Sequence, residues 1–595
     1  MKEFHLPALV EVKPEDNAIA ALFDQADQHP NRPAISYRDG DHFVDVSLGD
    51  FANNVRRLAA GLISLGIEPG SKIALHSGTR PEFTYFDYAI WAAGCVTVPI
   101  YETSSEEQVE WIIGNSEAVA VISESQEMKD KFDSVSDSIP TCKHSIVIDH
   151  GGFDHLLEAG ASVDQSEVDR RWQAIKQEDL ATLVYTSGTT GRPKGCMLSH
   201  HNFIFLVRQL VAAIPPAFHE GSSTLFFLPL AHIFARVAQV SSVTAGVKLG
   251  YSTGIPQLLE ELEMYKPTWL FSVPRVFEKV YNSAQQKAHS EGKGKIFDYA
   301  AKVAEEYSRQ AQAGRIKPLT KVQHTIFDKL VYSKLRAAFG GQVKYAISGG
   351  AALGERLGHF FTGVGIQILE GYGLTETTAG STLNRPDATE IGSVGQPIPG
   401  VTVAIADDGE VLLKGPHVMQ GYFKNDAATA ESINPDGWFH TGDIGELDGA
   451  GFLRITGRKK EILVTAAGKN VAPAVIEDRI RAHGLISQAM VVGDGEKFIA
   501  CMVTIDPEAF PAWAEENGKA GSGVADLVDD PDLRAAVEEA IEDGNKAVSR
   551  AEAVREFRIL PEDFTIDGGE ITPTLKLRRA IVMKKYAGTV EDIYR

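Results

Sequence analysis

The sequence predicts an α/β protein whose first three-quarters forms mostly parallel strands covered by helices, followed by an antiparallel β subdomain and a small α+β unit. Three observations carry this. Short apolar runs alternate with amphipathic stretches up to about residue 390. Asp-Gly and Gly turns then punctuate short alternating segments. After Gly457-Arg-Lys-Lys460 come a helical stretch, paired strands and a long acidic helix.

Taken in order, residues 182–185 and 224–228 read as buried strands, 233–243 as a helix, 247–251 as a strand, 257–265 as a helix, and 268–273 as a strand ended by Pro274. That is repeated β-α-β. Residues 296–339 are charged and helical and read as a solvated surface hairpin. Strand-like 343–347 leads into Ser348-Gly-Gly-Ala-Ala352, and 366–369 into Glu370-Gly-Tyr-Gly-Leu-Thr-Glu376. Polar, glycine-rich segments after strands lie at the ligand-binding edge of a doubly wound sheet. Asp407-Asp-Gly409, Asp436-Gly437 and Asp448-Gly-Ala-Gly451 supply turns for the β subdomain. Beyond residue 460, a helix is expected at 474–482, strands at 488–492 and 498–505, a surface loop at 518–524, and an acidic helix from Asp532.

With 595 residues the chain exceeds what one hydrophobic core can organise, so two or three domains are expected. Its composition, 44% hydrophobic and 23% charged, is that of a chain most of which folds. A net charge of −22 argues against nucleic acid as a partner but leaves a nucleotide substrate open, since a few lysines and backbone N–H groups can hold phosphates locally. The cysteines, Cys95, Cys142, Cys196 and Cys501, have no metal-ligand or paired spacing. No apolar window of about 18 residues occurs, and Met1-Lys-Glu-Phe-His-Leu-Pro lacks a signal-like apolar run. A cytoplasmic protein is expected, with any membrane contact peripheral; oligomeric state is not legible.

The segment Tyr185-Thr-Ser-Gly-Thr-Thr-Gly-Arg-Pro-Lys-Gly195 carries the strongest chemical signal. Thr186, Ser187, Thr189 and Thr190 offer hydroxyls, Gly188, Gly191 and Gly195 let backbone N–H groups turn toward one anion, and Lys194 adds a cation, a set suited to phosphate oxygens. Lys194 stands between Pro193 and Gly195, so this is not a Walker A loop. Alone, the composition also suits a strand-to-helix turn.

Read with the downstream segments, the chain resembles the adenylate-forming superfamily of acyl-CoA synthetases, luciferases and peptide-synthetase adenylation domains. Within it, Asp436-Gly-Trp-Phe-His-Thr-Gly-Asp-Ile-Gly-Glu446 through Gly457-Arg-Lys-Lys460 is similar to the fatty acyl-CoA synthetase signature. The resemblance runs from about residue 30 onward with the motifs in order. It implies a large N-terminal region, 1–457, of stacked mostly parallel sheets with helices plus a β subdomain, and a small mobile α+β lid, 458–595. It also implies two-step chemistry with ATP, Mg²⁺, a fatty acid and CoA. Such chemistry needs charge neutralisation and positioning more than a protein nucleophile.

Residue by residue, the resemblance places Thr186 and Glu376 on Mg²⁺ or the phosphates, hard oxygen donors of the kind that ion takes, and Thr375 near the α-phosphate. Ser187, Gly188, Thr189, Thr190, Gly191 and Lys194 form the phosphate-holding loop. Tyr372, within Glu370-Gly371-Tyr372-Gly373, stacks on adenine, and Gly349, Gly350 and Ala351 close the purine's other face. Asp443 accepts from the ribose hydroxyls, Arg458 is a second ribose or phosphate contact, and Lys460 is the hinge between the two units. Lys576, in Thr572-Pro-Thr-Leu-Lys-Leu-Arg578, bridges the acyl carboxylate and α-phosphate; Leu575 replaces the family's usual Gly there. His232 lies near the acyl carboxylate, and Val273-Pro-Arg-Val-Phe-Glu278 belongs to the acyl channel region. Val464 stands where some relatives carry a nucleotide-contacting lysine, so that contact is not carried over. Two other functions stay open: an acyl-AMP ligase loading a carrier protein, which usually needs an insertion not evident between Thr377 and Asn470, and a catalytically silent acyl- or nucleotide-binding protein.

Overall fold

A computed structural model of the chain describes residues 2–186, 192–566, 568–572 and 576–595. The strands 182–185, 224–228, 247–251 and 268–273 expected from sequence are found as Leu180–Thr186, Ser223–Phe226, Lys248–Tyr251 and Trp269–Ser272. Three sheets build most of the N-terminal region. The largest runs Gly421–Tyr422, Lys194–Ser199, Leu180–Thr186, Val96–Ile100, Lys72–His76, Ala120–Ser123, His144–Val147, and is parallel from Leu180–Thr186 onward. A second sheet sets Ser223–Phe226, Lys248–Tyr251 and Pro33–Asp39 in parallel, with His42–Ser47 antiparallel at its edge. The third carries the parallel strands Trp269–Ser272, Tyr345–Ser348 and Gln367–Tyr372 and then two short antiparallel ones.

Helix Pro81–Ala92 is the centre of this region. Proline at its first turn costs no hydrogen bond, and every side chain from Phe83 to Ala92 is buried. One apolar cluster joins it to Leu48–Ser64, His200–Ala213 and Ile233–Ala245, filling the space between the first two sheets. Within that cluster lies a fully buried ion pair. Arg236 Nε donates to Asp87 Oδ2 at 3.0 Å, Nη2 to Asp87 Oδ1 at 2.5 Å and Nη1 to Thr182 Oγ1 at 2.7 Å. Gln239 Nε2 adds a further bond to Asp87 Oδ2 at 3.2 Å.

Beyond residue 391 the expected antiparallel subdomain is present as Thr402–Ile405, Glu410–Lys414, Phe439–Leu447 and Leu453–Arg458, with the unforeseen strand Lys2–His5 pairing on its edge. The C-terminal segment forms helix Pro473–Arg481, strands Ile486–Val492, Ile499–Ile505 and Val554–Ile559, and helix Pro531–Asn545, around apolar clusters of its own.

One alternative falls and one expectation needs correction. The alternative of a strand-to-helix turn falls because Leu180–Thr186 pairs antiparallel with Lys194–Ser199 in register Thr186 to Lys194. The solvated hairpin at 296–339 also buries a face. Helix Gly294–Gln312 sets Phe297, Ala300, Ala301 and Ala304 into a cluster with Phe360 and Phe361, because these positions recur at helical spacing beneath the charges. Among the described residues, no helix is long and apolar enough to cross a membrane, and no His/Cys/Asp/Glu group has metal-holding geometry.

Removing one member of a buried ion pair leaves the other uncompensated. Asp87→Ala should therefore cost about 3–5 kcal/mol in denaturant unfolding of the N-terminal region. A paired Asp87→Leu, Arg236→Met replacement should cost clearly less; equal loss in both would show that the charge is not what matters.

Candidate active site

One cavity of about 1880 Å³ lies between the N-terminal region and the C-terminal segment. Its wall includes Thr186, Lys194, His232, Gly349, Gly350, Ala351, Gly371, Tyr372, Gly373, Thr375, Glu376, Asp443, Arg458, Lys460 and Lys576. The sequence expectations at Ser187, Gly188, Thr189, Thr190 and Gly191 lie outside the described residues.

The hairpin register puts Thr186 and Lys194 side by side at one end of the wall. Lys194 Nζ stands 4.9 Å from the ring centre of Tyr422, and the Tyr422 hydroxyl donates to Glu376 Oε1 at 2.7 Å. A cation, a hydroxyl and an anchored carboxylate thus meet there, the donor set that a triphosphate with a hard divalent cation requires. Tyr422 was not foreseen. It reaches the site because Gly421–Tyr422 pairs with Lys194–Ser199, a long-range contact with no spacing signature. The hairpin's base is fixed from outside, with Trp111 Nε1 donating to the Pro193 carbonyl at 2.8 Å and Tyr185 Oη to Asn115 Oδ1 at 2.6 Å.

Strands Tyr345–Ser348 and Gln367–Tyr372 deliver the next wall at their carboxyl ends. Gly349 is required by close approach: a Cβ there would stand 2.9 Å from the Phe234 ring. Glu370 does not line the cavity. Its Oε1 accepts the Leu353 N–H at 3.0 Å, which holds the 349–353 turn from behind, and burial pushes its carboxyl up to about 7. Tyr372 Oη donates to Asp443 Oδ2 at 2.6 Å, while Arg458 Nε donates to Asp443 Oδ1 at 2.9 Å across adjacent strands. Asp443 is 3% exposed, and these two donors fix its carboxyl group in the wall. Burial, followed by the Asp443 charge, raises the Tyr372 phenol well above its ordinary value, so it remains a donor.

Lys576 arrives from the C-terminal segment. Thr572 N–H donates to the Lys576 carbonyl at 2.9 Å, the Lys576 N–H returns to Thr572 Oγ1 at 3.0 Å, and Ile571 bridges to Leu577. Arg579 then pairs with Glu477 at 2.7 Å and donates to the Val491 carbonyl at 2.8 Å, tying the segment to its own helix and sheet. The Lys576 side chain lines the cavity, walled round by protein. Desolvation chiefly, with the Arg458 charge, lowers its pKa, while Asp443 and Glu376 pull the other way.

His232 caps helix Ile233–Ala245, its Nδ1 accepting the Phe234 N–H at 3.2 Å. Burial, and secondarily the charge of Lys576, depress its pKa to about 3, so it faces the cavity as a neutral ring. Beyond it the wall turns apolar, through Phe234, Val237, Ala238, Phe271, Ile347 and Leu383, with the Phe234 and Phe271 ring centres 3.9 Å apart. A polar, phosphate-compatible end and an apolar arm therefore share one space. Val464, 44% exposed, contributes nothing to the wall, and the 468–473 stretch lies outside it as well.

Two family models match the chain: AMP-binding enzyme over residues 22–423, and AMP-binding enzyme C-terminal domain over residues 460–595. The long-chain-fatty-acid–CoA ligase FadD15 of Mycobacterium bovis is 48% identical over 598 residues, covering 100% of both chains. The long-chain-fatty-acid–CoA ligase ACSBG1 of Homo sapiens is 30% identical, covering 96% of this chain and 84% of that one. Among solved structures, the adenylation domain of a carboxylate reductase from Mycobacterium chelonae superposes with TM-score 0.77 at 21% identity, covering 98% of this chain and 92% of the other. A Mycobacterium tuberculosis fatty acyl CoA synthetase superposes with TM-score 0.63 at 22% identity, covering 96% and 99%. At those identities the two structures speak to the fold.

Glu370 gives the site a pH signature in stability. A carboxyl whose folded pKa, about 7, exceeds its unfolded value of 4.5 favours the native state most below 4.5 and loses that contribution as pH rises through 7. Glu370→Gln keeps an acceptor for the Leu353 N–H without the titration. Between roughly pH 4.5 and 7 the stability difference should therefore move in favour of the Gln variant and then level off; a difference flat across that window in parallel denaturant titrations would contradict the assignment.

Proposed function

Because the chain belongs to the AMP-binding enzyme family, we propose that it is a fatty acid–CoA ligase whose two steps both take place in this cavity. A carboxylate oxygen of a medium- to long-chain fatty acid attacks the α-phosphorus of ATP; the bond to the β-phosphate breaks, giving acyl-adenylate and pyrophosphate. The sulfur of CoA then attacks the acyl carbonyl, the thiol proton is lost, and AMP leaves. What carries the reading is the convergence of Lys194, Glu376 and Asp443 with Lys576 on one wall that continues into an apolar arm.

The first step brings a carboxylate against a triphosphate, so its barrier is dominated by anion–anion repulsion. Lys576 bridges the two groups. Burial depresses its pKa against the pull of Asp443 and Glu376, and the arriving anions favour the ammonium. Thr186 and Lys194 hold the terminal phosphates, with the loop between them. Mg²⁺, which enters with ATP, neutralises phosphate charge when bound; the Thr186 hydroxyl and the Glu376 carboxylate, anchored by Tyr422, are hard donors that fit it. Thr375 sits beside the α-phosphate. Gly349, Gly350 and Ala351 face Tyr372 across the adenine, with Glu370 setting that turn from behind and Gly371 and Gly373 leaving room beside the tyrosine. Asp443 receives the ribose hydroxyls on lone pairs that Tyr372 and Arg458 leave over. His232, neutral, closes the acyl end without adding charge.

The boundary between lid and body falls between Gly457 and Arg458, with Lys460 as hinge. In this arrangement Lys576 lies in the cavity and Gly468-Lys-Asn-Val-Ala-Pro473 outside it, which suits adenylation; rotation about Lys460 would exchange them for thioester formation. Among the described residues no helix is long and apolar enough to cross a membrane, and contact with lipid is read as peripheral.

Pyrophosphate release should appear on adding fatty acid with Mg·ATP, and acyl-CoA only when CoA is also present; absence of acyl-CoA across acids from acetate to oleate would overturn the reading. Lys576→Ala should slow pyrophosphate release by about 100-fold or more while ATP affinity changes by less than about three-fold. Equal loss of both would remove its bridging role.

A further inference from the structure

Helix Pro318–Phe327 and its neighbour Gly294–Gln312 present a face that the ligase chemistry does not use. Gln323 Nε2 donates to Tyr299 Oη at 2.6 Å, the Phe327 ring meets the Tyr299 ring edge-on at 5.6 Å, and the His324 ring stacks on Tyr307 at 3.8 Å. Those side chains, with the buried Thr320, pack the helix against its neighbour, while the apolar positions 319, 322, 326 and 330, three or four residues apart, stay exposed. There the chain places Leu319, Val322, Ile326 and Leu330, with exposures of 69%, 58%, 51% and 55%. Of twelve large apolar side chains exposed among the described residues, six fall between Ile296 and Leu330. Single exposed apolar residues need no explanation, but a row at helical spacing marks a surface that something covers.

The charge around the row selects the cover. From Gly294 to Ala338 the chain carries nine Lys or Arg against four Asp or Glu, although its net charge is −22. Lys321 and Lys329 are exposed on the same segment as the apolar row, and among the described residues neither forms an ion pair. A second copy would set the same positive excess against itself. An anionic phospholipid surface satisfies both features, taking the apolar row at the acyl boundary and the lysines on its phosphates. Helix Gly294–Gln312, against which this helix packs, also contributes Glu305 and Arg309 to the cavity wall.

We propose that this face docks the protein on anionic phospholipid, with helix Pro318–Phe327 lying along the interface. The lipid contact deepens the fatty-acid reading, since such a substrate partitions into bilayers, but its test does not depend on turnover. The full chain should co-sediment with phosphatidylcholine vesicles containing phosphatidylglycerol, more weakly at high salt, and little with phosphatidylcholine alone. Val322→Glu with Ile326→Glu, and separately Lys321→Glu with Lys329→Glu, should each lower apparent vesicle affinity about ten-fold or more. Both should keep the parent's melting temperature and its turnover of a water-soluble acid in vesicle-free solution. Equal binding to neutral and anionic vesicles, no effect of either double substitution, or a dimer in sedimentation velocity that the Val322→Glu, Ile326→Glu variant splits would each overturn the proposal.

Discussion

The guanidinium of Arg236 is the point on which the N-terminal architecture turns. It is fully buried, held by both oxygens of an equally buried Asp87 and by Thr182 Oγ1, and so joins helix Ile233–Ala245, helix Pro81–Ala92 and strand Leu180–Thr186 at one place. Desolvating such a pair consumes most of what its attraction returns, so its net worth to stability is small. Its consequence is geometric. The strand it grips ends at Thr186 and opens the phosphate-loop hairpin, and the helix it grips begins at His232 by the acyl arm. Fixing both from one guanidinium sets the distance between the phosphate end and the acyl end of the cavity.

Charge in the cavity is mixed. Lys194, Arg458 and Lys576 face it, while Asp443 is engaged by Tyr372 and Arg458 and Glu376 by Tyr422. Under the proposed chemistry, an anion brought beside Lys576 favours its ammonium form. His232 belongs to the same balance. With a pKa near 3 it stays neutral at working pH and adds no cation to compete with Lys576 for the carboxylate.

Much of this was legible in the chain because the strands of a doubly wound sheet are short and uniformly apolar, and polar glycine-rich stretches follow them. That pattern placed the 349–351 turn after its strand, while the strand expected at 366–369 runs on through Tyr372. It could not reveal that Lys194–Ser199 returns antiparallel, because a buried strand has the same composition in either direction. Tyr422 escaped for a related reason: it acts on Glu376 only through sheet pairing, which leaves no local trace. At 296–339 the density of charge concealed a second periodicity. Phe297, Ala300, Ala301 and Ala304 go inward while Leu319, Val322 and Ile326 go outward, and only the packed neighbours decide which apolar set is covered. His232 shows the opposite case, a residue flagged for chemistry that also has an ordinary task as a helix cap.

The joint between the C-terminal unit and the rest is built differently from everything inside either. No apolar cluster among the described residues bridges the residues before 458 and those after 470. What crosses instead are polar contacts, Arg275 with Asp506 at 2.7 Å, Lys279 with Glu508 at 2.9 Å and Arg356 with the Ala482 carbonyl at 3.1 Å. Partly exposed ion pairs of this kind are worth about 0–1 kcal/mol each and exchange readily with water. An apolar joint of similar extent would hold Lys576 in place permanently and leave the second half-reaction without access. A polar one holds the lysine in the cavity by a margin small enough that pyrophosphate departure can reverse it, which is the energetic condition that rotation about the proposed hinge at Lys460 demands.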